Sequence, residues 1–261
     1  MNNLGVIFGQ ILNFAKQYGL SSSKKRAILR EYLQVYILSL LYQQKESVKL
    51  SFIGGTSLRL LNGLDRFSED LDFDNLGLNQ NQIKKMFTQV YQNLVKQNFK
   101  LDFYQNLKSD RAYFELRFKD LLTEFKISNN PKEKLKIKLD YACLWQGQKI
   151  KTVLLSRYGF IFNLITNNLG QLLVQKLYTY LKREQTQPRD IYDIIWLLGQ
   201  QAKVDREFMV KNNLPTDLIK QAKAKFQRES NKLAAFKRRL RPFLINEANV
   251  NKLDLFLQVL S

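Results

Sequence analysis

The sequence has no histidine, and Cys143 is the one cysteine in its 261 residues. Without histidine the chain cannot build a Ser-His-Asp triad, a Cys-His pair, or a His-ligated zinc or haem site. A single thiol excludes an internal disulfide and a cysteine-based metal cluster, which fits a reducing cytoplasmic compartment. Any group that activates a nucleophile here must therefore be a carboxylate or a metal ion.

Acidic residues are also scarce. The 23 Asp and Glu face 42 Lys and Arg, so the formal net charge is 42 − 23 = +19. This excess predicts an anionic partner, first of all nucleic acid. An acidic membrane surface, an acidic protein, or a basic surface without a partner are the alternatives. The hydrophobic fraction of 45% is that of a folded globular chain.

Long hydrophobic runs are missing as well. Residues 1–10 carry no Lys or Arg side chain, so they lack the basic region of a signal peptide. The uncharged stretch 158–175 approaches the length of a membrane span. It contains five amides that hydrocarbon would not solvate, namely Asn163, Asn167, Asn168, Gln171 and Gln175. We expect two soluble elements that meet near Asn167–Gly170, no membrane association, and a cytoplasmic protein.

The order of sequence patterns predicts an α+β protein. Apolar spacing and turn residues predict helices over residues 6–18, 24–44, 57–64 and 81–97, and strands over 49–55, 69–75, 99–104, 111–118 and 135–141. From about residue 158 the strand signals stop, and helices are predicted over 170–183, 188–200, 204–212, 216–241 and 248–260. We therefore expect an α/β lobe over 1–157 and a helical lobe over 158–261.

Residues 65–74 reverse the sign of the charge, since several carboxylates there oppose a lone Arg66. Asp70 and Asp72 are two apart on a predicted strand, so their side chains share a face. Adjacent carboxylates repel each other unless a cation neutralises them, and Mg²⁺ takes oxygen ligands from one or two carboxylates plus substrate phosphates. The alternatives are a solvated acidic strand end, or Asp70 acting as a cap.

A glycine pair follows the first predicted strand and opens a helix, in the order Gly54-Gly55-Thr56-Ser57. Glycine lets a backbone approach a phosphate closely, and a helix N-terminus adds amide donors. Ser57 would offer its hydroxyl to a phosphate oxygen. The alternative is a tight turn with Thr56 or Ser57 as the N-cap. The Lys of a Walker A loop is not present at the required spacing.

A third motif lies at the end of the strand predicted over 135–141, where Lys138 and Asp140 share one face. If this strand lies beside the Asp70–Asp72 strand, Asp140 becomes a third carboxylate. Three carboxylates together with a glycine loop form the layout of a two-metal phosphoryl-transfer site.

Residues 220–241 are a basic run with an apolar stripe. The stripe consists of Ala222, Phe226, Leu233, Phe236 and Leu240, and the outward bases include Lys220, Lys223, Arg228, Lys232, Arg238 and Arg239. Such a surface attracts phosphate backbones without reading their sequence. The alternatives are a solvated surface helix, a helix lying on a membrane, or an acidic protein partner. Tyr141 and Tyr192 could stack on a base, or belong to the core.

Four strings together resemble a known family, namely GGTSLR, RFSEDLDF, KLDY and KLYTYLKREQTQPRDIYDI. They are similar to the AbiEii/AbiGii-type nucleotidyltransferases, the toxins of abortive-infection and type IV toxin–antitoxin systems, over roughly residues 24–200. The resemblance implies a polymerase-β-like nucleotidyltransferase fold, a mixed sheet with flanking helices followed by a helical C-terminal lobe. It also implies an NTP substrate, Mg²⁺ or Mn²⁺, and a cognate antitoxin.

The resemblance assigns roles to particular residues. Gly54, Gly55, Thr56 and Ser57 would hold the triphosphate, and Asp70, Asp72 and Asp140 the metal ions. Lys138, Lys176 and Arg189 would contact the nucleotide. Asp193 would be the catalytic or base-positioning carboxylate of the RDxYD motif, unless Arg189 only clamps it one helical turn away. The family often has an acidic residue before the lysine helix, where this chain has Gln171 and Gln175.

These observations predict a metal-dependent nucleotidyltransferase toxin. It would transfer NMP from an NTP to an RNA 3′ hydroxyl, foremost the tRNA 3′ end, release pyrophosphate and inhibit translation. A protein hydroxyl or a small molecule as acceptor is one alternative. A catalytically idle module that binds RNA or an antitoxin is the other.

Overall fold

The computed structural model of the chain describes residues 4–108 and 111–260. This described part forms two compact units that alternate along the sequence. The first contains the described residues of Met1–Phe52, Ser68–Leu144 and Thr152–Ile165, and the second those of Ile53–Phe67, Trp145–Lys151 and Thr166–Ser261. The sequence predicts one boundary between residues 157 and 158, whereas both of these residues lie inside the first unit.

The first unit is built on a mixed sheet. Among the described residues it has five strands in the order β1-β2-β5-β4-β3, which are β1 (Leu50–Ile53), β2 (Asp70–Asn75), β3 (Leu101–Leu107), β4 (Arg111–Phe118) and β5 (Leu135–Ala142). β2 and β5 are parallel, while β4 is antiparallel to both of its neighbours. The strands predicted from residue alternation are confirmed.

One face of this sheet is apolar, since alternate residues of β4 and β5 are buried. Helix α4 (Gln80–Lys96) covers it with Ile83, Met86 and Phe87, and the Phe87 ring lies 4.5 Å from the Phe114 ring. Asn79 and Gln82 form the capping box that begins this helix. The other residues of the same strands are therefore left on a polar face.

Helices α1 (Leu4–Gln17), α2 (Lys25–Tyr42) and α5 (Leu121–Glu124) complete the helices of the first unit. Glu31 of α2 is buried. Its carboxylate accepts hydrogen bonds from the Arg157 guanidinium at 2.6 and 3.0 Å and from the Tyr158 hydroxyl at 2.9 Å. A buried carboxylate persists only with partners of this kind.

The strand signals do not stop at residue 158, and that prediction was wrong. In the described part of the chain, β6 (Ile150–Arg157) and β7 (Phe160–Asn167) form a separate two-stranded sheet. Tyr158 and Gly159 make the turn between them with positive φ angles of 52° and 82°. The β-branched and aromatic residues of β7 are typical of strands, although the run is unusually uncharged.

Helix α6 (Leu169–Lys182) follows β7, so the uncharged stretch does contain two elements that meet where expected. Asn168 caps α6 by accepting a hydrogen bond from the backbone of Gln171. The Gln171 side chain bonds the backbone of Lys149 and Gly147. Within residues 4–108 and 111–260, no helix combines the length and apolar character that a membrane crossing requires.

The second unit is helical. Besides α6 it contains α3 (Gly54–Asn62), α7 (Pro188–Gly199), α8 (Arg206–Lys211), α9 (Leu218–Arg228), α10 (Leu233–Leu240) and α11 (Phe256–Val259). Its core includes the rings of Tyr180, Phe226 and Phe256. A 3₁₀ segment, Glu247–Leu255, precedes α11 where a continuous helix over 248–260 was predicted.

The long helix predicted over 216–241 is also interrupted. A 3₁₀ turn, Ser230–Lys232, separates α9 from α10. Glu229 ends α9, and its carboxylate accepts hydrogen bonds from the Thr186 hydroxyl at 2.8 and 2.9 Å. Serine and asparagine follow it, and their side chains compete for backbone hydrogen bonds and disfavour helix interiors.

Replacing Glu31 with alanine should lower the free energy of unfolding by about 3–5 kcal/mol, because it leaves the Arg157 charge without its buried acceptor. Urea denaturation would measure this. The matched control is Glu46→Ala at an exposed position, which should change stability by less than about 0.5 kcal/mol. Equal, small effects of both changes would contradict a structural role for the Glu31 cluster.

Candidate functional site

The polar face of the sheet brings the predicted carboxylates together. The parallel register places Asp70 opposite Lys138 and Asp72 opposite Asp140. Because facing residues of adjacent strands project to the same side, the three carboxylates and Lys138 share one face. The expected adjacency of the two motif strands is confirmed.

The carboxylates crowd one another electrostatically. Burial and the nearby Asp70 raise the pKa of Asp140 to about 6, although Lys138 opposes the shift. A divalent cation relieves such repulsion, so the donor chemistry fits Mg²⁺ or Mn²⁺. Over residues 4–108 and 111–260, no three acidic or cysteine side chains are grouped closely enough to hold an ion by themselves. Water and substrate phosphates would have to complete the coordination.

Strand β4 adds polar residues that no motif marked. Tyr113 lies opposite Asp140, and Glu115 lies opposite Lys138. The Tyr113 hydroxyl and the Arg117 guanidinium both donate hydrogen bonds to the Glu115 carboxylate. Burial acts to raise the pKa of Glu115, but these two bonds outweigh it and hold the pKa below its usual value. The alternation of polar and apolar residues in RAYFELRF indicates which face of the sheet these side chains occupy. It does not indicate which residues lie beside them on the neighbouring strands.

The glycine loop belongs to the second unit. Helix α3 begins at Gly54, earlier than predicted, and Gly54 adopts a φ of +76°. The Ser57 hydroxyl is buried and bonds the Thr166 hydroxyl at 3.2 Å, so the structure uses it internally. The first-turn backbone N–H groups are the donors that such a helix start offers to an anion.

A buried ionic cluster surrounds Asp193 of α7. Its two carboxylate oxygens accept hydrogen bonds from Arg66 at 2.7 Å each, and the Lys176 ammonium lies 2.8 Å away. Asp193 is fully buried. Burial acts to raise its pKa, but the two cations outweigh it and lower the pKa. The structure thus places Lys176 beside Asp193, and the Asp193 carboxylate is buried between Lys176 and Arg66.

Sequence reasoning missed Arg66 as the partner of Asp193. Arg66 and Lys176 supply the cations on this carboxylate, while the Arg189 guanidinium lies 4.4 Å from the centre of the Phe243 ring. The neighbouring Asp190 binds Arg183 at 2.8 Å and Lys176 at 3.5 Å. Arg66 stands out in the sequence as a lone base within an acidic segment. The sequence does not indicate its partner, because Asp193 lies far along the chain.

The two candidate stacking tyrosines are core residues. Tyr141 and Tyr192 are both buried, and the Tyr192 hydroxyl donates to Asp65 at 2.7 Å. Asp65 also accepts hydrogen bonds from Asn249 at 2.6 Å and Lys252 at 2.7 Å. Both rings therefore serve packing.

The basic run 220–241 presents most of its charge to solvent, on α9, α10 and the turn between them. Its stripe residues Ala222, Phe226, Phe236 and Leu240 are buried, as predicted. Exposed bases are Lys220, Arg228, Lys232, Arg238 and Arg239, and Lys223 is half-buried. Arg239 also donates to Gln187 at 2.8 Å. The run thus docks on the core and turns its charge outward.

Comparison with known proteins gives one family match and similar folds among solved structures. A family model described as "Nucleotidyl transferase AbiEii toxin, Type IV TA system" matches residues 37–257. The crystal structure of JHP933 from Helicobacter pylori is similar with 18% identity and a TM-score of 0.55, covering 92% of this chain and 93% of that one. A proposed nucleotidyltransferase from H. pylori is similar with 20% identity and a TM-score of 0.56, covering 92% and 96%. No curated protein matches the chain.

Asp193→Asn should lower the free energy of unfolding by about 3–5 kcal/mol at pH 7, since two cations lose their buried counter-charge. The pKa of Asp193 is lowered on folding from 3.8, so its contribution is complete above that pH and is lost as the pH falls through the lowered value. Denaturation at pH 2 to 7 should therefore show a constant difference between variant and wild type above pH 3.8, and a difference that narrows as the pH falls below it. Asp217→Asn, at an exposed position, should lie near the wild type at every pH.

Asp140→Asn should stabilise the metal-free protein by about 1–2 kcal/mol at pH 7.5. The pKa of Asp140 is raised on folding from 3.8 to about 6, so wild-type stability falls as the pH rises through that window. The gain should disappear below pH 4. Thermal unfolding in a chelator, with Glu46→Gln as the exposed control, would test this, and a loss of stability at pH 7.5 would contradict it.

Proposed function

Because this chain belongs to the AbiEii family of nucleotidyltransferase toxins, we propose that it transfers NMP from an NTP to an RNA 3′ hydroxyl and releases pyrophosphate. The tRNA 3′ end is the proposed acceptor, so transfer would inhibit translation. The observation that carries the proposal is the register that sets Asp140 opposite Asp72, one row from Asp70 and Lys138.

The carboxylates would supply the ligands for the metal ions. Asp70, Asp72 and Asp140 would hold Mg²⁺ or Mn²⁺, which when bound lowers the pKa of the attacking hydroxyl and neutralises charge on the phosphates. The pKa of Asp140 is raised to about 6 because its carboxyl is buried beside Asp70. This crowding of carboxylates supports their assignment as metal ligands. Lys138, in the adjacent row, would orient a phosphate oxygen.

The motif residues outside the sheet include cationic and amide donors. The backbone N–H groups at Gly54 and Gly55 would bind the β- and γ-phosphates. Burial acts to lower the pKa of Lys176, but Asp193 and Asp190 outweigh it and raise the pKa, so Lys176 carries a full charge at pH 7. Asp193 is a positioning residue in this scheme, since it is buried and holds Lys176.

The basic surface of α9 and α10 would hold the acceptor. Its exposed bases attract a phosphate backbone at low salt, and such binding weakens steeply as counterions compete. The "Type IV TA system" of the family description also implies a cognate antitoxin encoded with this protein. We propose that this antitoxin relieves the block on translation.

Incubation with labelled NTPs, Mg²⁺ and total RNA should transfer label to RNA. Asp72→Asn should lower the rate by about 100-fold or more, as expected for loss of a metal ligand, and a chelator should abolish the reaction. Glu124→Gln, at an exposed position of the same unit, serves as the matched control. Equal transfer by Asp72→Asn, or transfer from none of the four NTPs, would refute the proposal. Label on protein instead of RNA would refute the acceptor.

A further inference from the structure

An exposed aromatic residue lies on the same sheet face as the carboxylates. Tyr104 of β3 is 48% exposed and is opposite Glu115 of β4. Because Glu115 is opposite Lys138 and Lys138 is opposite Asp70, one row of residues crosses four strands. Adjacent strands are about 4.8 Å apart, so Tyr104 lies about 14 Å along the face from Asp70.

The side chains around Tyr104 hold it in place. The Arg117 guanidinium lies 5.7 Å from the centre of its ring, and the Tyr113 ring meets it edge-on at 6.2 Å between centroids. Arg117 and Tyr113 are in turn both bonded to Glu115. We call Tyr104, Tyr113 and Arg117 the β3–β4 platform. Its rings are fixed by their neighbours before any ligand binds.

The surroundings of the platform are cationic. Lys136 is opposite Arg117, and both Lys136 and Lys138 are exposed on β5. Among the described residues at the outer edge, the carboxylate of Asp102 is paired with Lys119 at 2.5 Å and with Lys134 at 2.8 Å. An exposed aromatic ring beside several cations is the combination that binds a nucleobase together with its phosphates.

We propose that the β3–β4 platform binds an unpaired base of the RNA acceptor strand, near the 3′ end that receives the nucleotide. The assignment rests on the proposed nucleotidyl transfer to RNA. The base stacks on Tyr104, and its neighbouring phosphates contact Arg117, Lys136 and Lys138. Since a base within a duplex already stacks on both faces, the platform selects single-stranded ends over paired RNA.

The distance along the face favours the acceptor strand over the NTP. A separation of about 14 Å from Asp70 exceeds the span between the α-phosphate and the base of one nucleotide. A base on Tyr104 is therefore supplied more readily by a strand of several nucleotides than by the nucleotide that is cleaved beside the carboxylates. A strand that extends back from the attacking hydroxyl can reach it.

Binding of a fluorescein-labelled single-stranded oligoribonucleotide, followed by anisotropy in a chelator without NTP, tests this. Tyr104→Ala should raise the Kd about 10-fold or more, the usual effect of losing one stacking platform. Tyr104→Phe should stay within about twofold, since the ring is kept. Leu154→Ala, which changes a 62% exposed side chain of the same unit, should bind like the wild type, and a blunt duplex should be insensitive to all three changes.

A wild-type Kd in Tyr104→Ala, an equal loss for single strand and duplex, or failure of the wild type to bind the single strand would each overturn the proposal. So would a weaker affinity of Tyr104→Ala for a fluorescent NTP with unchanged oligonucleotide binding, because the base held would then be that of the substrate. Failure of the proposed function is distinguishable, since it appears as no label transfer in the wild type, whereas the anisotropy measurement needs neither NTP nor metal.

Discussion

The helical unit depends on one buried carboxylate. Asp193 balances the charges of Arg66 and Lys176 at hydrogen-bonding distance, and each of these groups comes from a different segment of the chain. Burying an ion costs several kcal/mol unless its partner is placed accurately. The three segments must therefore adopt their positions together, and the geometry of Lys176 follows from packing rather than from its own helix. This coupling explains why a residue with no access to solvent belongs to the proposed reaction.

In the other unit the equivalent constraint is backbone register. Side chains alternate across a strand with a period of two, so hydrogen bonding between β2, β4 and β5 decides which residues share a face. The apolar half of each strand packs under α4. The polar half then lies on the opposite side, where Asp72 is opposite Asp140. A slip of one residue would bury the carboxylates and expose the core.

Local information predicted the strands of the five-stranded sheet, most helices and the motif residues, because alternation and turn chemistry depend on neighbouring positions in the sequence. It failed where a distant contact decides the outcome. The pairing of Arg66 with Asp193 joins remote segments, and Glu229 ends α9 at a hydroxyl from Thr186. Strand β7 was missed because its uncharged run suggested a different class of segment. Ser57 was expected to offer its hydroxyl to a phosphate, but this hydroxyl is buried and bonds Thr166. The spacing of residues in the sequence does not reveal this contact.

Acidic and basic side chains are unevenly distributed over the polar face. Asp72 and Asp140 form one row of this face, and Arg117 and Lys136 form another. The row between them contains Asp70, Lys138 and Glu115. The charge therefore changes sign along the strands, and the two ends of the face attract opposite ions. In the absence of divalent cations, an RNA strand would settle at the positive end and be repelled from the negative one. In the proposed reaction, the strand would therefore dock on this face before the carboxylate end could accept a triphosphate.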